Sequence, residues 1–199
     1  MGVWDWELVR NKTRQRWGNG FEVFGQLPTP IPQPQLFMRV LGIDPGLATT
    51  GWGFVEEIAP QRYGGIRFGC LTTPAKMPLV DRLGRLARGL RELAGREKPD
   101  AVAVEELFFA KDSKTAASVG HARGVILYVL SELGLPVREY NPRSVKIALT
   151  GYGGADKSQM QRMIQGLLRL KSIPKPDDAA DALAIALCHI NTVHLGVGG

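Results

Sequence analysis

Arg39-Val40-Leu41-Gly42-Ile43-Asp44-Pro45-Gly46 decides the fold. The run is apolar, too short for a helix, and stopped by a Pro-Gly pair, so it reads as a buried strand running into a turn. Its last residue is a carboxylate, which is costly to bury without a partner. Downstream, residues 50–56 and 66–72 read as two strands at hairpin spacing. Leu79, Leu83, Leu86, Leu90 and Leu93 then repeat at helical spacing, with Arg82, Arg85, Arg88 and Arg91 off the apolar seam. The spacing predicts an amphipathic helix with those arginines on a solvated face, broken at Pro99-Asp100.

Ala101-Val102-Ala103-Val104-Glu105 repeats the opening pattern, a short buried strand ending in an acid. Residues 113–133 read as a long helix closed by Gly134 and Pro136, and Val137–Tyr140 as the last strand. Asn141-Pro142 is an N-cap followed by proline at the first helical position, opening a helix to about Leu149. Gly151-Tyr152-Gly153-Gly154 is a loop, and Asp156 caps a helix to about Leu170. Beyond Pro174 and Pro176 a final helix starts near Asp177. Strands that alternate with helices after a hairpin indicate an α/β domain.

Residues 1–37 differ from the rest. They hold Trp4, Trp6 and Trp17 and end in Pro28-Thr29-Pro30-Ile31-Pro32-Gln33-Pro34, an extended linker without helix or ladder capacity. The expectation is a disordered arm or a misread start, with the folded domain in 38–199. The alternative is a DNA-contacting arm using Arg10, Lys12, Arg14 and Arg16. A net charge of +6 suits a polyanionic partner, but alone does not separate nucleic acid from a solvated basic surface. Cys70 and Cys188 form no metal-binding spacing and read as buried free thiols. No stretch approaches a membrane span and no secretory signal is present, so a soluble cytoplasmic protein is expected.

Four acids sit where carboxylates are out of place. Asp44 and Glu105 end buried strands. Asp178 and Asp181, three apart, share one face of the final helix, just before Ala182-Leu183-Ala184-Ile185-Ala186-Leu187. Each alone has an ordinary explanation. Asp44 can cap its turn, Glu105 can be a surface charge, and Asp177 and Asp178 can cap a helix start. Together they would repel one another if brought close, and bound cations resolve that conflict. Oxygen-only ligands favour Mg²⁺ or Mn²⁺. Two such ions about 4 Å apart stabilise the attacking and leaving oxygens of phosphodiester hydrolysis, with water as nucleophile.

Six blocks of this sequence resemble the RuvC family of crossover junction endonucleases. They are Leu41-Gly42-Ile43-Asp44-Pro45-Gly46 with Thr50-Gly51-Trp52-Gly53; Val104-Glu105-Glu106-Leu107-Phe108-Phe109-Ala110-Lys111; His121-Ala122-Arg123-Gly124-Val125; Tyr140-Asn141-Pro142-Arg143-Ser144-Val145-Lys146; Gly153-Gly154-Ala155-Asp156-Lys157-Ser158-Gln159; and Asp178-Ala179-Ala180-Asp181-Ala182-Leu183-Ala184-Ile185-Ala186. The resemblance runs from about Met38 to His194, and residues 1–37 have no counterpart. It implies a ribonuclease-H-like fold, a mixed central sheet flanked by helices. It also implies a homodimer that resolves four-way (Holliday) DNA junctions by symmetric paired nicks, with Mg²⁺ or Mn²⁺ and in company with a branch-migration motor complex. The family's acidic ligands map onto Asp44, Glu105, Asp178 and Asp181. The third position varies between Asp and His in the family, and Asp177 stands next to it as a competitor. Lys146 and Lys157 match positions that hold DNA near the cut, and Phe108 matches a junction-probing aromatic.

Gly120 and Gly124, four apart on the long helix, are candidates for a close contact between two copies; tight packing on the protein's own sheet is the alternative. His121 reads as a packing or surface residue. Three rival functions fit these features less well. A sugar-kinase-like ATPase shares the Asp-x-Gly turn but needs two lobes, and no Gly-x-x-x-x-Gly-Lys motif occurs. A non-catalytic junction binder would have no need of all four acids. A related nuclease acting on RNA would lack the last two blocks.

Overall fold

The structure, a computed structural model, describes residues 37–106 and 113–194. The expectations for residues 1–36 and for Phe108 and Phe109 fall outside the described residues. Arg39–Asp44 (β1) is the central strand, buried through Val40, Leu41, Gly42 and Ile43. It pairs antiparallel with Thr49–Ala59 (β2), which turns back into Arg62–Thr72 (β3). On its other side β1 pairs parallel with Ala101–Glu105 (β4), and β4 pairs parallel with Val137–Tyr140 (β5). The result is one mixed sheet in the order β3-β2-β1-β4-β5.

Helices cover both faces. Leu79–Glu97 (α1) and Ser113–Glu132 (α2) pack Leu86, Leu90, Leu93, Ile126 and Leu130 against Leu41, Ile43, Val102 and Val104. Pro142–Thr150 (α3), Lys157–Leu167 (α4) and Asp177–His194 (α5) build the opposite core around Val40, Ala103, Leu183 and Leu187. Strand periodicity divides the residues this way, since successive side chains point to opposite faces. α5 is buried almost all round, from Ala179 to Ile190 apart from Asp181, as its continuous apolar run requires.

The helix caps follow the sequence. The Asn141 side chain accepts a 2.8 Å bond from the Ser144 N–H, with Pro142 in the first turn. Asp156 and Gln159 form a reciprocal capping box at the start of α4. Several boundaries differ from the reading above. The hairpin strands are longer than 50–56 and 66–72, because two register irregularities between β2 and β3 interrupt the alternation on which the shorter reading relied. α4 ends at Leu167 rather than Leu170, because Arg169 takes a left-handed backbone with φ 51°. Leu79 is exposed, so the seam of α1 packs from Leu83 onward. Cys70 is half-buried rather than buried, and Cys188 is buried; both thiols are free.

One feature positions the site. Gly42 lies opposite Gly53, and Asp44 opposite Gly51, across β1 and β2. A Cβ added at Gly42 would lie 2.0 Å from the Ala182 carbonyl oxygen, and one at Gly53 would lie 2.7 Å from the Leu183 nitrogen. One at Gly51 would lie 2.0 Å from the Asp178 carbonyl oxygen. These three glycines form a bare track on which the backbone of α5 rests. Any side chain there would lift the helix off the sheet.

Candidate active site

Asp44 and Glu105 end neighbouring parallel strands. Ile43 is in register with Val104, so the two carboxylates leave the sheet side by side at the C-terminal edge. Period-two alternation aims both toward the α5 face, the side of Gly42 and Ala103. The glycine track lowers the first turns of α5 onto the same edge and brings Asp178 over Gly51, the register partner of Asp44. Asp181, one turn further along α5, completes the group.

The electrostatics follow from this placement. Burial pushes the Asp44 carboxyl up to about 8, reinforced by the Glu105 charge, a hydrogen bond shared with Glu105, and the charges of Asp181 and Asp178. Burial also raises Glu105, with Asp181 adding to the rise and the bond to Asp44 opposing it. Asp181 is raised by burial, against the pull of Lys157. The four acids therefore share one electrostatic environment in which Asp44 retains a proton. The donors are all oxygen, partly desolvated and mutually repelling, a combination that fits a hard divalent cation. Among the described residues no three His, Cys, Asp or Glu side chains are close enough together to hold a metal ion as they stand.

The neighbouring acid behaves differently. Asp177 takes Lys157 Nζ at 2.8 Å, Lys175 Nζ at 2.7 Å and Gln161 Nε2 at 3.1 Å. Hydrogen bonds from the two lysines hold its carboxyl down at about 2. Asp177 is thus a paired surface acid, whereas Asp178 acts on Asp44. Lys157 is raised by its bond to Asp177 and by the charges of Asp181 and Asp178, which sets it beside the acidic group. Lys146 is half-buried on α3. His121 is exposed, and a Cβ at Gly120 or Gly124 would meet nothing within 4 Å. Packing on the protein's own sheet therefore does not explain either glycine.

Two features were missed in the sequence. The Cys70 thiol lies across from Gly51 on β3 and is raised by burial and by Asp178 and Asp44. Finding it needed the hairpin register. The second is a hydrogen-bonded chain from the turn after Asp44. Buried Thr73 donates its hydroxyl to the Leu47 carbonyl at 2.5 Å and accepts Arg82 Nε at 2.8 Å. Arg82 is half-buried there rather than part of a wholly solvated arginine face.

Residues 40–189 match the family model described as crossover junction endodeoxyribonuclease RuvC. The chain belongs to the RuvC family. RuvC of Chloroflexus aggregans is 57% identical over 159 residues, covering 78% of this chain and 94% of that protein. RuvC of Endomicrobium trichonymphae is 52% identical over 157 residues, covering 79% of this chain and 83% of that protein. Thermus thermophilus RuvC, solved in complex with a Holliday junction substrate, superposes with a TM-score of 0.76 at 40% identity, over 80% of this chain and 96% of that one. The yeast mitochondrial Holliday junction resolvase Ydc2 superposes with a TM-score of 0.57 at 16% identity, covering 78% of this chain and 80% of that one, a likeness of fold alone. The fold is ribonuclease-H-like, with the mixed sheet and flanking helices expected of the RuvC family. Asp44, Glu105, Asp178 and Asp181 all lie inside the matched segment, and residues 1–39 lie outside it. Among the described residues no helix is long and apolar enough to cross a membrane.

Proposed function

We propose that this chain is a metal-dependent endonuclease that resolves four-way DNA junctions, with Asp44, Glu105, Asp178 and Asp181 as its metal-holding carboxylates. The observation that carries the reading is the electrostatic coupling of Asp44 to Glu105, Asp181 and Asp178, in a chain of the RuvC family. Mg²⁺ or Mn²⁺, two ions per site, would supply the positive charge that lets water attack the phosphodiester. The protein's part is to hold its carboxylates together on a rigid sheet edge, where the charge of a bound cation would favour loss of the Asp44 proton. Lys157, beside the acids and next to the α4 N-terminus, positions a backbone phosphate there. Lys146 also holds DNA near the cut, and Phe108 probes the junction.

Two symmetric cuts need two such sites related by a two-fold axis, and one chain has a single set of four acids. We therefore assign a homodimer, with the open face of α2 around Gly120 and Gly124 as the contact, and a branch-migration motor complex as a further partner. The nuclease occupies residues 38–199, with 1–37 as a dispensable arm. The deciding experiment is a gel. Purified protein is incubated with a synthetic four-way junction and with matched linear duplex, with EDTA, Mg²⁺ or Mn²⁺. Paired symmetric nicks in the junction alone, only with metal, are expected. Equal cutting of linear duplex, or cutting in EDTA, would reject the reading.

A further inference from the structure

Five arginines of the described residues pair with carboxylates. Arg39 pairs with Asp100, Arg91 with Glu132, Arg67 and Arg96 with Glu97, and Arg123 with Glu139. Arg82 is built differently. Its Nε is held by the Thr73 hydroxyl, a neutral group, and among the described residues no carboxylate pairs with it. Its charge therefore has no carboxylate partner, and the Thr73 bond engages only Nε. Helix stability does not explain its place. Arg82 is in the first turn of α1, where the macrodipole disfavours a cation.

Its surroundings suggest a ligand. Arg82 lines a cleft of about 630 Å³, together with Gly46 of the turn after Asp44, Thr49 at the start of β2, Ser118 and Val119 of α2, and Asp178. That volume is in the range of sites that hold a small ligand. The anchor is rigid, since buried Thr73 is tied to the same turn twice, through Leu47 O at 2.5 Å and Ala48 O at 3.0 Å. A fixed guanidinium thus shares a cleft with one of the four acids. A DNA strand whose scissile phosphate lies at those acids must carry its next phosphates past them.

We infer that Arg82 is a phosphate-binding, strand-positioning residue: it takes a backbone phosphate adjacent to the scissile one, in the cleft between α1, α2 and Asp178. The inference rests on the junction-cutting reading above. The planar fork suits a phosphate in two-point contact, which a lysine cannot reproduce.

The test uses the full chain, synthetic four-way junctions and three variants. Junction affinity is measured without divalent ions across a salt series, and single-turnover cleavage is measured with them. Arg82→Ala should weaken binding roughly 10- to 100-fold, the range of a hydrogen bond to a charged group. Its plot of log affinity against log salt should be about one unit shallower than the wild type's. Arg88→Ala, which removes the same charge from an exposed position of the same helix, should leave cleavage unchanged. A second measurement scans single methylphosphonates across the phosphates flanking the cut. At one position the wild type should lose affinity while Arg82→Ala loses nothing further. If Arg82→Ala does not fold, Arg82→Lys carries the same scan, and its loss at that position should shrink. Wild-type salt slope and an unchanged methylphosphonate profile in the folded variant would overturn the assignment. A wild type that neither binds nor cuts four-way junctions would instead overturn the function on which it rests.

Discussion

Replacing Gly51 by alanine should separate folding from chemistry. The added methyl carbon would lie 2.0 Å from the Asp178 carbonyl oxygen, 2.4 Å from its carbonyl carbon and 3.0 Å from its Cβ. The nearest partners are backbone atoms, so no side-chain rotation relieves the contact. A tolerable carbon–oxygen separation is about 3 Å or more, so the first turn of α5 must rise by roughly 1 Å. Inserting a methyl group into a packed core costs about 1–3 kcal/mol. For a domain of this size that lowers Tm by roughly 2–12 °C. The larger effect should be on rate, because a misplacement of about 1 Å at a reacting centre can cost on the order of 100-fold. Junction cleavage, junction binding without metal and thermal melting should be measured on the same preparation. Gly42→Ala is the comparison. It is equally crowded, at 2.0 Å from Ala182 O, but lies deeper under the helix. We expect Gly51→Ala to stay folded and bind junctions while cutting about 100-fold more slowly, and Gly42→Ala to lose mainly stability. A Gly51→Ala protein that cuts at the wild-type rate would refute the idea that the glycine track sets the height of Asp178.

Four further outcomes are expected. Asp44→Asn should abolish cleavage and leave junction binding intact, read by gel shift; Asp178→Asn should be crippled likewise, and Asp177→Asn only mildly affected. Asp44 has a folded-state pKa raised from the ordinary carboxylate range to about 8. Its contribution to stability is therefore full below about pH 4 and lost as pH rises through about 8. In EDTA the melting temperature should fall between pH 5 and pH 9, and stabilisation by Mg²⁺ should grow over the same span. A metal response independent of pH would contradict the shared-proton picture. Gly124→Leu should leave the monomer folded, since the position faces open space and leucine is the better helix former, but sedimentation should show the dimer weakened. Deleting residues 1–37 should leave melting and junction cleavage unchanged; loss of either would make the arm functional.

The strand-end acids were legible because β1 and β4 are short apolar runs in which a terminal carboxylate stands out. The buried final helix was legible from its unbroken apolar stretch. The name of the fold came from the six sequence blocks, not from periodicity. What stayed hidden depended on groups distant in sequence. Asp177 and Asp178 are adjacent acids at one helix start, and only the positions of Lys157 and Lys175 tell the paired one from the site one. Nothing local to the glycines at 42, 51 and 53 marks them as a track, because only the β1–β2 register sets them under α5. Arg82 looked like its solvated neighbours because its partner, Thr73, sits in a loop that no helical pattern includes.

The Lys157–Asp177 pair has a consequence for how variants of this site should be interpreted. Removing the lysine does more than delete a cation, because it also leaves Asp177, beside Asp178 and Asp181, with Lys175 in place of two lysine partners. A DNA strand entering the Lys157→Ala protein would meet one missing attraction and one new repulsion. The measured defect would exceed what the lysine itself contributes to grip. The double variant Lys157→Ala/Asp177→Asn removes both charges together, so it should bind better than the single lysine variant, an apparent suppressor that makes no contact of its own. Charge at this edge is thus a property of the pair, and the two residues have to be altered together before either can be assigned a share of the binding energy.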